Sequence, residues 1–285
     1  MLPDKISWYP GHMTKAMRAM QEDIKKVDLV IELLDARIPV STENPDIDTL
    51  AKNKFRMVLL NKADLADEEE TARWIKSFEA RGITAFSLDS RNTKRMAQIK
   101  EAIPVICKEK IERDRRRGIM NRPVRAMVAG VPNVGKSTFT NSFAGKAAAK
   151  TGNKPGVTKG NQWIRLNKDV ELLDTPGVLW PKFDDPKVGL HLSYIGAIND
   201  NVIDQELLAY EFIKECAELF PGKIAAFYGI EEDPDPNVMI EQIARKRNLL
   251  VKGGEPDRMR ASAALFDDYR NGKLGKISFE RAEEQ

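Results

Sequence analysis

Short apolar runs, separated by amphipathic stretches of helical length, set the pattern of the first two thirds of the chain. Val27-Asp-Leu-Val-Ile-Glu-Leu-Leu34 is the first run, followed by residues 57–60, 83–86, 126–129 and 170–173. Each is bounded by polar turn residues, the pattern of strands buried on both faces of a parallel sheet. Between them, residues 68–80 and 96–116 have the length and spacing of helices. This alternation predicts an α/β domain of mostly parallel strands, with ligands at the strand C-terminal ends. Beyond about Pro186 the texture changes. Residues 205–220, 238–251 and 260–271 read as amphipathic helices, with no strand pattern among them. Phe183-Asp-Asp-Pro186 and Glu231-Glu-Asp-Pro-Asp-Pro-Asn237 read as turn-rich breaks, the first a domain boundary and the second a loop. The expected organisation is a nucleotide-binding sheet domain over residues 1–182 and a small all-helical domain over residues 183–285.

Composition supports two packed units. At 285 residues, 42% hydrophobic and 31% charged, the chain can bury a full core under an ionised surface. It lacks a run of about 18 uncharged apolar residues, and its start has no apolar signal-peptide core, so a cytoplasmic protein without membrane association is expected. Cys107 and Cys216 are far apart and outside any CxxC spacing, which excludes a metal knuckle and leaves two small core or helix residues. The net charge of +3 says little about partners until the charges are placed along the chain.

The chemistry sits at the ends of the apolar runs. Gly130-Val-Pro-Asn-Val-Gly-Lys-Ser137 satisfies G-x-x-x-x-G-K-[ST] between a strand and the helix-compatible stretch 138–144. Such a loop turns backbone N–H groups inward around phosphates. Lys136 then reaches the β/γ oxygens, and Ser137 can ligate Mg²⁺. Asn133, Val134, Gly135, Lys136, Ser137 and Thr138 are the candidate phosphate contacts. Asp174-Thr-Pro-Gly177 follows a strand, as expected of the carboxylate that holds the Mg²⁺ water shell and the glycine whose N–H senses the γ-phosphate. DxxG alone is a weak signal, and its weight comes from the strand before it and the loop upstream. Thr158 of Pro155-Gly-Val-Thr158 has two readings: a switch threonine whose hydroxyl joins Mg²⁺, or an ordinary turn residue.

Asn61-Lys-Ala-Asp64 matches the guanine-reading motif NKxD at the end of another strand. The carboxylate of Asp64 can accept from guanine N1–H and N2–H₂ together, whereas adenine would leave it unpaired, so GTP is the expected nucleotide. Asn61, Lys62, Ala63 and Asp64 are base-site candidates, with Asp89 and Ser90 of Ser87-Leu-Asp-Ser90 placed to close over the base. In an ordinary small GTPase the phosphate loop comes first and NKxD near the end; here the order is rotated. A circularly permuted Ras-like sheet follows, bridged by the helical stretch 96–118 where the old termini would lie.

In these motifs the chain resembles the circularly permuted ribosome biogenesis GTPases of the YlqF (RbgA) type. The resemblance rests on Trp8-Tyr-Pro-Gly-His-Met13, Asp35-Ala-Arg-Ile-Pro39, Asn61-Lys-Ala-Asp64, Gly130-Val-Pro-Asn-Val-Gly-Lys-Ser-Thr138, Pro155-Gly-Val-Thr158 and Leu173-Asp-Thr-Pro-Gly-Val-Leu-Trp-Pro181, in family order over nearly the whole chain. Tyr9 departs from the family's frequent phenylalanine. The resemblance implies a GTPase, catalysing GTP to GDP and phosphate, that binds a late precursor of the large ribosomal subunit in its GTP state, with the helical domain touching rRNA. Turnover is expected to be slow without the particle, and the protein to be a monomer.

Val178 stands where Ras-like enzymes carry a water-orienting glutamine, and valine has no group to hold water. The resemblance assigns that role to His12, which can equally be read as a cap for the helix beginning near Thr14. With Lys136 and Thr158 it completes the candidate catalytic set. Asn133 is, by resemblance to related GTPases, a K⁺ ligand, or else a plain loop asparagine. Asp35 and Arg37 read either as a surface ion pair or, from their place at a strand C-terminal end, as part of the site. Residues 108–125 and 237–276 are basic while 205–235 is acidic, a segregation that suits phosphate-backbone contact or simply a solvated helix face. Two other functions fit the sequence, a GTP-dependent RNA-binding switch without useful hydrolysis and a tRNA-related GTPase.

Overall fold

The computed structural model describes residues 11–92, 95–120, 122–145 and 162–282, with only the backbone of residues 12 and 162. Among these residues six strands form one sheet in the order β3-β2-β1-β4-β6-β5. They are β1 (Leu29–Asp35), β2 (Phe55–Asn61), β3 (Thr84–Ser87), β4 (Val124–Ala129), β5 (Gln162–Arg165) and β6 (Val170–Asp174). All neighbours run parallel except β5, which pairs antiparallel with β6 at the edge. Read from β4, the strand that leads into the phosphate loop, the chain order is that of a Ras-like sheet rotated by three strands. β1 is buried along its whole length between β2 and β4, which is why it reads as a nearly continuous apolar run.

The helices before β4 are α1 (Gly11–Asp23), α2 (Pro39–Thr42), α3 (Pro45–Leu50), α4 (Glu68–Ala80), α5 (Met96–Ile106) and α6 (Lys108–Arg116). α7 (Lys136–Ala144) follows the phosphate loop, and α8 (Pro186–Tyr194), α9 (Gln205–Leu219), α10 (Lys223–Tyr228), α11 (Pro236–Lys246) and α12 (Arg258–Arg270) complete the chain. α4 fits its expected bounds because Asp67 caps it, accepting from the Glu70 N–H at 2.9 Å, and three glutamates fill its first turn.

Other expectations need correction. The bridge 96–116 is two helices that part at Cys107, three residues after Pro104, whose ring nitrogen has no hydrogen to donate. α11 stops at Lys246 rather than Val251, because Asn248 takes a left-handed φ of 55° that ends the helical path. The segments read as breaks are irregular over residues 183–185 and 231–235 and lead straight into helices: Asp185 and Asp235 accept from the N–H groups of Lys187 and Asn237, each with proline at the first helical position. Both cysteines are free and buried, and burial pushes the Cys107 thiol up to about 12. No helix among the described residues is long and apolar enough to cross a membrane.

One apolar cluster runs from the sheet into the C-terminal helices. Ile31, Leu33, Leu59, Val128, Phe139 and Phe143 on one sheet face are continuous with Tyr194, Phe212, Phe266, Tyr269 and Phe279. At about 1.5–3 kcal/mol for each large side chain fully withdrawn from water, this shared core fastens the helical region to the sheet. On the opposite face Val30, Met127 and Leu173 pack under Met17 and Met20 of α1, and Leu34, Val58 and Leu60 pack under Trp74 and Phe78 of α4.

The chain then returns to the sheet. Ile277 N–H donates to the Leu65 carbonyl at 3.1 Å and Phe279 N–H to the Arg37 carbonyl at 3.0 Å. Glu280 accepts from the Val40 N–H at 2.6 Å and the Ser41 N–H at 3.1 Å, where α2 has unpaired donors. His191 of α8 lies between Glu280 and Glu215, 3.0 Å from each. Its burial opposes protonation, but the two carboxylates prevail and raise its pKa to about 9.

Candidate functional site

The parallel register brings the chemistry to one end of the sheet. Asp35 pairs with Asn61 across β1 and β2, and Val128 with Asp174 across β4 and β6, so the loops after these strands leave side by side. Brought together there are the phosphate loop, the base loop, the Ser90 loop and the start of Asp174-Thr-Pro-Gly177.

Asn61 is the cross-link. Its Nδ2 donates to the Val134 carbonyl of the phosphate loop at 2.6 Å, and its Oδ1 accepts from the Ser90 N–H at 3.0 Å and hydroxyl at 2.7 Å. All are buried. The Ser142 hydroxyl of α7 donates to the Ser90 carbonyl at 2.6 Å, closing the ring of contacts. Gly135, at φ 97°, lies so close to this amide that a Cβ there would collide with Asn61 Nδ2. The glycine is therefore needed twice, for a left-handed backbone and for the approach of NKxD.

Lys136 is buried at the first position of α7 and donates to the Val131 carbonyl at 2.7 Å. Burial pulls its ammonium pKa down to about 8, and nearby Asp174 only partly restores it. Asp174 is itself buried and accepts from the Thr140 hydroxyl at 3.1 Å; burial raises its carboxyl pKa against the pull of Lys136. A Cβ on Gly177 would stand 2.7 Å from the Pro132 backbone and 2.9 Å from Lys136 Nζ, so the DTPG glycine is packed onto the phosphate loop. Val178 is buried and its N–H reaches the Gly130 carbonyl at 3.4 Å. Ser137 and Thr138 occupy the first turn of α7.

These residues suit a triphosphate with its divalent ion. Burial of Lys136, which Asp174 offsets only in part, favours a further anion beside its ammonium, and the Ser137 and Asp174 oxygens are the hard donors that Mg²⁺ takes. No group of three or more His, Cys, Asp or Glu among the described residues forms a metal cluster independent of such a ligand.

On the base side, Lys62 takes a left-handed φ of 57° and places Ala63 and Asp64 in a short 3-10 turn. Its ammonium lies 3.1 Å from Asp35, which Arg37 grips through Nε and Nη2 at 2.8 Å each. Burial disfavours the Asp35 carboxylate, yet the charges of Arg37 and Lys62 hold it well below its usual range. The Asp35–Arg37 pair is 0% and 1% exposed, which removes the surface-pair reading. Arg37 also stacks on the Tyr269 ring, 4.5 Å from its centroid, so the pair ties the base loop to α12.

Asn133 sits at φ 62° and donates to the Gly196 carbonyl in the turn after α8. Arg270 secures the same turn through the Ser193 and Tyr194 carbonyls at 2.8 Å. Two functional links escaped sequence reasoning, the Arg37–Tyr269 stack and the contact of Arg91 with both Asp89 and Asp64. Only the closeness of Arg91 to Ser87-Leu-Asp-Ser90 could have signalled the second. Thr158 lies outside the described residues, as does the side chain of His12 at the start of α1.

Comparison with known proteins agrees with this geometry. Residues 125–217 match the family described as 50S ribosome-binding GTPase. Ribosome biogenesis GTPase A of Bacillus cereus is 43% identical over 98% of this chain and 95% of its own, and the protein of that name from Thermotoga maritima is 36% identical over 98% and 95%. The crystal structure of GNP-bound YlqF from T. maritima superposes with a TM-score of 0.66, at 31% identity, over 95% of this chain and all of that one. With a permuted sheet, a phosphate loop cross-linked to NKxD, and relatives matching from end to end, this chain belongs to the ribosome biogenesis GTPase A (YlqF) family of P-loop GTPases.

Proposed function

We propose that this GTPase is an assembly factor of the large ribosomal subunit, binding a late precursor in its GTP state and leaving after hydrolysis. The observation that carries its nucleotide chemistry is the Asn61 cross-link, which joins the phosphate loop, the base loop and the Ser90 loop through buried hydrogen bonds. The partner is proposed from the names of the full-length relatives and from the basic segments 108–125 and 237–276. Lys108, Arg113, Arg115, Arg116 and Arg117 on and after α6 are exposed, which suits contact with an rRNA backbone. In this reading residues 1–182 handle GTP and residues 183–285 the ribosomal particle, in the cytoplasm, as a monomer.

Asn61 to Asp64, with Asp89 and Ser90, enclose guanine; Asn133 to Thr138 cradle the phosphates, with Lys136 neutralising charge that develops on the β/γ oxygens. Ser137 and Thr158 would ligate Mg²⁺ directly and Asp174 through water; the ion, when bound, neutralises phosphate charge. Asn133 would be the K⁺ ligand, held at a left-handed φ of 62° by the hydrogen bond of its Nδ2 to the Gly196 carbonyl. Gly177 senses the γ-phosphate through its N–H, and its packing on Lys136 offers a path from nucleotide state to the segment leading into α8. Val178 is apolar and buried, so the water must be oriented from elsewhere, and His12 is the proposed group.

GTP turnover measured alone and with isolated large-subunit precursors, beside co-sedimentation in GDP and in a non-hydrolysable analogue, tests this reading. Particle-stimulated turnover and analogue-dependent binding that weakens steeply with salt are expected. Binding without turnover would instead indicate a pure switch, the reading that the missing glutamine at Val178 keeps open; binding to tRNA alone would rule out the ribosomal assignment.

A further inference from the structure

Asp64 already has a partner on the rim of the site. The Arg91 guanidinium grips Asp89 side-on, with Nε 3.0 Å from Oδ1 and Nη2 3.3 Å from Oδ2, and the same Nη2 donates to Asp64 Oδ2. The Arg91 N–H also donates to Asp89 Oδ1 at 2.9 Å. Partial burial of Asp89 alone would raise its carboxyl pKa, but the hydrogen bonds from Arg91 hold it below the usual range. The preceding residue is equally fixed, Ser90 being locked by Asn61 and Ser142. An arginine whose side chain is 69% exposed is thus held at both ends, its backbone by the site's central cross-link and its head by Asp89.

We infer that Arg91 is a positioning residue for guanine recognition, holding one oxygen of Asp64 so that the plane of that carboxylate is set before the base arrives. The inference rests on the reading of Asp64 as the guanine acceptor. Rotation of an aspartate carboxylate about its last torsion has broad, soft wells, and at 29% exposed the Asp64 side chain gains from a partner that makes the choice among them. A charged, planar donor oriented by a second carboxylate supplies that choice. A carboxylate has about four lone-pair sites, so one donated N–H leaves room for both guanine donors. Asp89 acts through Arg91, as the residue that fixes the guanidinium plane.

Inosine nucleotides separate orientation from general support of the loop, because they keep N1–H and lack the 2-amino group. Equilibrium binding of GDP, IDP and ADP is measured with the full chain as wild type, Arg91→Ala, Arg91→Lys, Asp89→Asn and the double variant Asp89→Asn with Arg91→Ala. Wild type should prefer GDP over IDP and over ADP. Arg91→Ala should weaken GDP about tenfold, the scale of one lost charge-assisted hydrogen bond, and IDP much less, narrowing the GDP/IDP ratio. Asp89→Asn should narrow it in the same direction, add nothing in the double variant, and Arg91→Lys should fall between wild type and alanine. Equal weakening of GDP and IDP would make Arg91 a simple loop support, and unchanged or tighter GDP binding would make it a bystander or a competitor of the base; each overturns the inference. A wild type indifferent between GDP and ADP would instead overturn the reading of Asp64, whatever the variants do.

Discussion

Asp35 meets Arg37 wholly out of water, with two N–H groups 2.8 Å from its oxygens, whereas Asp64 meets Arg91 at a rim where the arginine side chain is 69% exposed. Both pairs flank the loop that carries Lys62, and both use one carboxylate and one guanidinium. The buried pair is a strut: Lys62 leans on it from the base loop and Tyr269 from α12, and removing either member would strand a charge in the core. The rim pair, 69% exposed at Arg91 and 29% at Asp64, contributes little to holding the fold, so its worth lies in where it points Asp64. The same two residue types give rigidity in one place and orientation in the other, and burial decides which.

The largest effect should come from breaking the strut. Asp35→Ala leaves Arg37 buried without its carboxylate and should cost about 3–5 kcal/mol in urea unfolding, whereas Asp35→Ala with Arg37→Met should recover much of that. If the single variant is as stable as wild type, the pair bears no load. Next comes the clasp beside it. The His191 pKa is raised from 6.5 to about 9, so its contribution is complete below about pH 6.5 and lost as pH rises toward 9. Thermal melts should show stability falling over that window by up to about 3 kcal/mol in wild type, with a flatter profile in His191→Gln. A variant that keeps the wild-type slope would transfer the effect to other groups.

Smaller is the expected loss in Gly135→Ala, about 1–3 kcal/mol from the strained φ alone, accompanied by loss of GTP binding as Asn61 is pushed aside. Smallest is Arg91→Ala, whose unfolding free energy should stay within about 0.5 kcal/mol of wild type, the range typical of surface changes. A large drop in its stability would erase the distinction between the two pairs.

The parts of the fold legible in advance share a physical cause. β1, β2, β4 and β6 are central strands buried on both faces, and α4 carries its own cap and acidic first turn, so local residues report them. β5 went unforeseen because it is a four-residue edge strand with Trp163 exposed, and its pairing with β6 sets its course more than its composition does. α8 and the start of α11 were hidden by Asp-Pro pairs, which signal turns and helix N-termini alike until the following backbone is seen. In the site, the phosphate and guanine motifs carried their own spacing. The partner of Arg37 lies 232 residues away and that of Arg91 27 residues away, distances at which spacing says nothing.

Isothermal titration of the full chain with GTP and with ATP in Mg²⁺ most directly tests whether the permuted motifs assemble a single guanine-nucleotide site. One GTP should bind per chain, ATP more weakly by about four orders of magnitude, and Lys136→Ala and Asp64→Ala should each lose that binding. Equal affinity for the two nucleotides, or GTP binding undiminished in both variants, would contradict the account.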